Sequence, residues 1–322
     1  EAFERACCER LGVRHAIGVS SGPDALLVAL MALGIGPGDE VIVPTYSFFA
    51  TAGVVARLGA APVFVDVRED DFGMDAAALA AAIGPRTRAV VPVHLFGQCA
   101  DVDAIARVAG DIPVIEDAAQ AFGARYRERA AGGLGAAACF SFFPAKNLGA
   151  LGDAGLVTTD DDALAAKIRR LRVHGAEPKY HHHVVGGNFR LDPLQAALLS
   201  VKLAHLDAWT HARRAHAAFY DEALASRVTT PRALEDRFHV YNQYVVRVRS
   251  RDAVRAALAA EGVETMVYYP RPLHLQPCFA GGAQGRFPVA EALARDSLAL
   301  PVFPELRREE RAHVAGALLA HA

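Results

Sequence analysis

Short β-branched runs alternate with helical patterns through the first half of the chain. AIGVSS (16–21) precedes PDALLVALMALG, VIVP (41–44) precedes FFATAGVVARLG, and PVFVDV (62–67) precedes AAALAAAIG. AVVPVHLF (89–96) precedes DVDAIARVAG, and PVIEDAA (113–119) and ACFSFF (138–143) follow. Runs that are apolar on both faces, each returned by a helix, predict a mostly parallel sheet covered by helices, an α/β fold. GLVTTD (155–160) predicts a further strand with a helix over 161–172, and residues 1–12 read as an amphipathic helix. From Asp192 to about Ser226 the apolar positions keep a helical period, which reads as a connector with a bend. YNQYVVRVRS (241–250), a helix at Asp252–Glu261, TMVYYP (265–270) and a final helix from about Pro304 predict a small α+β unit. The expected division is a large domain over 1–205, then a connector helix and small domain over 206–322.

Composition narrows the function classes. With 322 residues, 52% of them hydrophobic, the chain can bury a sizeable core. A formal net charge of −2 with no block of like charges argues against a nucleic-acid partner or a membrane partner. Apolar segments are interrupted well before a membrane span's length, so a cytoplasmic protein is expected. Five cysteines without a CxxC or regular spacing argue against a disulfide framework or a zinc site. The adjacent histidines His181–His183 are likewise not spaced for a common structural metal site, and a solvated or substrate-facing loop is the simpler reading.

In a parallel sheet, ligands collect at the carboxyl ends of the strands, so the loops there carry the candidate chemistry. SSGPDALL (20–27) opens a helix after a strand; Gly22, Pro23 and Asp24 either form a plain turn or leave backbone N–H groups for an anion. The stretch is neither GxGxxG nor GxxxxGK[ST], so the usual nucleotide readings lack support. Glu116 and Asp117 end an apolar strand, where a carboxylate needs a cationic or hydrogen-bonding partner. A protonated heterocycle is one such partner; a helix cap or a metal ligand is the alternative, although no His or Cys lies within a few residues. Lys146 sits between the aromatic run FSFF and a glycine-rich stretch, bounded by Pro144 and Gly149. Most lysines are solvated, but a desolvated one deprotonates readily and attacks aldehydes. Ser141 for a phosphate, Asp117 for a pyridinium nitrogen and Phe48 for a ring face complete the requirements of pyridoxal 5′-phosphate (PLP).

SSGPDAL, GIGPGDEVIVPTYSFFAT, PVFVDV, PVHLFGQCADVDAI, EDAAQAFGA, CFSFFPAKNLGALGDAG, GNFRLDPLQAA and YYPRPLHLQP occur in this order. With them the sequence resembles the DegT/DnrJ/EryC1/StrS sugar aminotransferases, PLP enzymes of aspartate-aminotransferase fold type I, over nearly the whole chain. The resemblance implies that Lys146 is the Schiff-base lysine and proton shuttle, and that Asp117 keeps the pyridine nitrogen protonated. It also implies that Gln120 lies near the ring hydroxyl, that Phe48 stacks on the cofactor and that Ser141 binds its phosphate. Gly22–Asp24 would add phosphate contacts, and Asn188 would reach the phosphate of the neighbouring subunit, which implies a homodimer with shared active sites. Pro23 departs from the threonine or similar small residue usual there, removing a hydroxyl and an N–H donor. For Tyr46 and His274 contact with the sugar or its phosphates and core or interface packing are both open. Arg190 either holds a substrate phosphate or carboxylate or makes an interfacial ion pair. Family members carry a further short N-terminal segment, so a trimmed start is expected.

The implied reaction moves an amino group from L-glutamate or L-glutamine to a nucleotide-linked keto-sugar, with pyridoxamine 5′-phosphate as the intermediate carrier, and yields an amino sugar. A cyclitol acceptor, or a PLP-binding regulatory protein without turnover, is the alternative. The 3-dehydratase branch has histidine at the lysine position, and Lys146 argues against it.

Overall fold

The structure is a computed structural model that describes residues 1–279 and 285–322. Seven strands form the central sheet: β1 (His15–Val19), β2 (Glu40–Pro44), β3 (Ala61–Val65), β4 (Thr87–Val90), β5 (Ile115–Asp117), β6 (Ala137–Ser141) and β7 (Gly155–Thr159). Ladders join β3-β2-β4 and β1-β7-β6-β5, and parallel bridges Val90–Val114 and Val93–Asp117 link the two groups. The order is therefore β3-β2-β4-β5-β6-β7-β1. Only β7 runs against its neighbours, so the mostly parallel sheet expected from the alternation is what forms.

Alternate residues of each strand feed opposite cores, as the pleat requires. Ile17, Val41, Val43, Ala89, Ile115 and Val157 pack with helices α2 (Gly22–Ala32), α3 (Ala50–Arg57) and α6 (Asp162–Leu171) on one face. On the other, Ile42, Val65 and Val90 meet α4 (Ala76–Ala82) and α5 (Val102–Ala109), while Ala16, Phe140 and Leu156 meet α1 (Ala2–Leu11). Side chains of Ser21, Asp75, Asp101 and Asp161 cap the starts of α2, α4, α5 and α6 by accepting from their first-turn amides. Ser21 thus caps α2, and the Asp24 carboxylate accepts from Ser20 Oγ at 2.6 Å.

The helical stretch after Asp192 is two helices, α7 (Pro193–Leu203) and α8 (Leu206–Leu224), broken at Ala204–His205. Beyond them β8 (Tyr244–Arg247) pairs antiparallel with β9 (Ser297–Leu300). This ribbon lies between two cores. Val245 and Ala299 join the sheet's own cluster, whereas Tyr244, Val246, Leu298 and Leu300 pack with α8, α9 (Arg251–Ala260) and α11 (Arg308–His321). Two elements were not expected from the sequence: α10 (Pro288–Asp296), a short helix that buries Ala290, Leu293 and Ala294, and β9, whose SLAL lacks β-branched residues. TMVYYP forms no strand; Met266 bridges Ala299, and the Tyr268–Tyr269 peptide is cis. Among the described residues no helix is long and apolar enough to cross a membrane, and no group of three His, Cys, Asp or Glu side chains could hold a metal.

Candidate active site

A cavity of about 600 Å³ opens where the carboxyl ends of β2, β4, β5 and β6 meet the start of α2. Asp117 and Gln120 come to it from the end of β5, Ser141 and Lys146 from β6 and its loop, Ser47 and Phe48 from the loop after β2, and Gly22 and Pro23 from α2. Val267, Tyr268 and Tyr269 close it from the C-terminal half.

The two carboxylates at the end of β5 part company because successive side chains point to opposite faces of a strand. Glu116 turns away and is fully consumed: His94 Nε2 (2.9 Å) and the amides of Gly132 (2.9 Å), Leu134 (2.7 Å) and Gly135 (2.9 Å) all converge on it. Asp117 turns to the cavity. Its Oδ2 accepts from Thr51 Oγ1 at 2.7 Å and its Oδ1 from the Ala119 amide at 3.3 Å, which leaves lone pairs for a ligand. Burial pushes the Asp117 carboxyl above the usual range, opposed by those two bonds and by the positive charge of Lys146.

Lys146 is held by its backbone and neighbours rather than by its own head group. Its amide donates to Phe143 O (2.8 Å), and Asn147 beside it donates to Val240 O (2.9 Å) and accepts from Asn242 Nδ2 (2.7 Å). The turn is so tight that a Cβ at Gly149 would lie 2.3 Å from Pro144 O. Burial pushes the Lys146 amine down to about 8, with the Asp117 carboxylate opposing the shift. The sequence raised a solvated lysine as the commoner case; the fold leaves this one half-buried, next to the only carboxylate at the end of β5 that faces the cavity.

The start of α2 is built for close approach. Pro23 has no N–H and the Asp24 amide is taken by Ser21 Oγ at 3.1 Å, so the Gly22 amide and the Ser141 hydroxyl remain as donors for an anion. A Cβ on Gly22 would lie 2.7 Å from Ser141 Cβ. Gly22→Ala is expected to force α2 away from β6, lowering apoprotein stability in a denaturant titration by roughly 1–3 kcal/mol and weakening PLP binding measured on the same sample.

Gln120 also lies in the wall. Its Oε1 accepts from the Phe96 amide (2.6 Å), which orients the amide so that Nε2 donates to Tyr269 OH (3.1 Å). The phenol's own hydrogen is then left for the cavity. Phe48, half exposed, stands 6.2 Å from the Tyr269 ring.

Five candidates lie elsewhere among the described residues. Tyr46 is fully buried behind the wall, where its hydroxyl donates to Tyr268 O (2.5 Å) and accepts from the Tyr269 amide (3.1 Å). It shapes the tyrosine pair rather than touching the cavity. His274 is also buried, bonded to Thr45 Oγ1 (2.7 Å) and packed on Phe287, so packing decides its place. Asn188 and Arg190 are exposed, bridged to Val173 and Val19, and do not line this chain's cavity; nor does Asp24. The sequence reading missed Ser47, Thr51, Tyr268, Tyr269 and Gln243. The four-residue spacing of Ser47 and Thr51 at a helix start was a usable signal, whereas nothing in YYP says which tyrosine turns inward.

A larger groove of about 900 Å³ adjoins the cavity, and Ala145, Lys146, Gln243 and Tyr268 border both. The lysine therefore stands at the junction of a narrow cavity and a roomy cleft.

Known proteins similar to this chain span nearly its whole length. The chain is 53% identical over 309 residues to a "pleiotropic regulatory protein" of Geobacillus stearothermophilus, covering 94% of this chain and 83% of that protein. It is 50% identical over 317 residues to the UDP-N-acetyl-3-dehydro-alpha-D-glucosamine 3-aminotransferase of Acidithiobacillus ferrooxidans, covering 98% and 86%. The crystal structure of S. venezuelae DesV in complex with a ketimine intermediate superposes with a TM-score of 0.96 at 45% identity, covering 98% of this chain and 87% of that one. The family model described as the DegT/DnrJ/EryC1/StrS aminotransferase family matches residues 1–319, and the chain belongs to that family.

Proposed function

We propose that this protein is a PLP-dependent aminotransferase that moves an amino group from L-glutamate or L-glutamine to a nucleotide-linked keto-sugar. The observation that carries the reading is the pair Lys146 and Asp117 in one cavity, the lysine half-buried with its amine pushed down by burial and the carboxylate with lone pairs to spare. Solved members of the family are described in PLP and PMP forms, and relatives named as sugar-nucleotide aminotransferases support the acceptor class. The residues present fit the cofactor: a carboxylate for the ring nitrogen, an amine for the aldehyde, Phe48 for a ring face, and Ser141 with the Gly22 amide for the phosphate. When bound, PLP supplies an electrophilic carbonyl and an electron-withdrawing ring.

Each side chain then has a task. Lys146, with an amine near 8, is in part the free base at neutral pH and can both attack a carbonyl and carry a proton to and from carbon. Asp117 holds a proton on the ring nitrogen by charge. Phe48, Tyr268 and Tyr269 keep water from the reacting face. The 900 Å³ cleft beside Lys146 gives a bulky acceptor room. A homodimer with the neighbouring subunit supplying residues at the positions of Asn188 and Arg190 belongs to this reading; exposed Leu151, Leu194 and Val201 beside the lysine loop support a covered face there. The division at 205/206 is supported by the break between α7 and α8, and a cytoplasmic setting fits a biosynthetic enzyme of this kind.

Because only the free amine attacks an aldehyde, PLP uptake by the apoprotein is expected to quicken by about tenfold per pH unit below about pH 8 and to level off above it. Stopped-flow absorbance checks this. The function itself is tested by the visible spectrum of the PLP-loaded protein before and after L-glutamate, followed by a panel of nucleotide keto-sugars. Bleaching of the visible band by glutamate supports the donor half. A band indifferent to both amino donors points to a binding or regulatory role instead.

A further inference from the structure

On the PLP reading, the groups that hold Asp117 decide how its carboxylate meets the cofactor. Thr51, fully buried in the first turn of α3, donates to Asp117 Oδ2 at 2.7 Å. Its Oγ1 also lies 2.9 Å from Ser47 Oγ, another buried hydroxyl. A carboxylate only accepts, so the Thr51 hydrogen is committed to Asp117 and Ser47 has to be the donor to Thr51. The direction of the chain is thereby set: Ser47 to Thr51 to Asp117. Ser47 and Asp117 line the cavity, and Thr51 stands behind them.

The surroundings of Asp117 make this chain matter. Lys146 approaches from the loop after β6, His94 from the segment after β4, and Glu116 precedes it on β5 facing the other way. The Cys139 thiol on β6 and the Tyr269 phenol are also near, both pushed up by burial and so neutral. Lys146 is the only basic side chain among the described residues of the cavity wall. It acts on Asp117 by charge and gives the carboxylate no hydrogen bond. The Thr51 hydroxyl is then the remaining side-chain donor on this carboxylate apart from the ring nitrogen itself.

We propose that Thr51, backed by Ser47, is a positioning residue that holds the Asp117 carboxylate ionised and turned toward the ring nitrogen of PLP. Thr51→Val keeps the shape and removes the donor, leaving a buried oxygen without its partner. The ionised form is then disfavoured, Asp117 takes up a proton at higher pH, and PLP binding fails earlier on acidification.

The test is PLP binding to the full-chain apoprotein as a function of pH, read by cofactor absorbance and by equilibrium dialysis, for wild type, Thr51→Val and Thr51→Ser. The acid limb of binding is expected to move up by about one pH unit in Thr51→Val, with about tenfold weaker binding below it and near-normal binding above it. Thr51→Ser, which restores the hydroxyl, should return the limb to the wild-type position. A uniform loss at all pH values, or an unchanged limb in Thr51→Val, would overturn the proposal, since a merely packing role has no pH signature. Should Thr51→Val yield no folded apoprotein, Ser47→Ala carries the test: a smaller shift in the same direction supports the chain, and none overturns it. Failure of wild type to bind PLP at any pH would instead reject the cofactor reading on which this rests.

Discussion

Lys146→Ala is expected to lower the rate of amino transfer by roughly 10⁴-fold, the top of the range for losing a positioned acid-base group. The change removes both the nucleophile for the aldehyde and the group that carries the proton between carbon atoms. Because the loop is pinned through the Lys146 amide, Asn147 and Gly149 and not through the amine, the fold should survive. Its stability carries a signature of its own. In the folded apoprotein the amine sits near 8 against an ordinary 10.5, so the charged form is disfavoured by folding. That penalty is fully present below pH 8 and fades as pH rises through the interval from 8 to 10.5, where the unfolded chain binds the extra proton. Lys146→Ala apoprotein should therefore melt no lower than wild type at neutral pH, and any advantage should vanish at alkaline pH. Single-turnover absorbance with L-glutamate and pH-dependent thermal melts check the two halves. A variant that still bleaches the visible band at a rate near wild type would show that another group carries the proton.

Asp117→Asn is expected to slow the same half-reaction by about 10²–10³-fold, the usual cost of removing one preorganised charge from a water-excluded site. The amide keeps the carboxylate's shape and can still accept from Thr51 Oγ1, so local packing is retained. It has lost the negative charge that keeps a proton on the ring nitrogen, and with it the ring's capacity to withdraw electrons. PLP retention should weaken as well, by about the tenfold expected when Asp117 is protonated, because the ring nitrogen loses its ionic partner while Ser141, the Gly22 amide and Lys146 are untouched. Rates from single-turnover mixing, set against a PLP titration of the same variant, separate these contributions. A rate within a few-fold of wild type would remove Asp117 from the chemistry and leave it a structural acid like Glu116.

The sequence by itself determined the alternation of strands and helices, because β1, β2, β5, β6 and β7 are buried along nearly their whole length and their apolar runs reflect it. It also determined the chemistry-bearing types: a lysine in a constrained loop, a carboxylate at a strand end, and a hydroxyl and a glycine where an anion would sit. These are local properties, written in composition and spacing along one stretch at a time. Tertiary structure decided what depends on direction and on neighbours distant in the chain. Asp117 rather than Glu116 faces the cavity because the pleat turns one in and the other out, and because the amides of 132–135 converge on Glu116. Tyr46 and His274 belong to family motifs yet are spent on Tyr268, Tyr269 and Thr45, residues about 220 positions away in the first case. Tyr269 and Gln243 reach the site from the C-terminal half. The depressed amine of Lys146 exists only once the fold has removed its water and set Asp117 beside it; desolvation is a property of the assembled site, and no window of sequence contains it.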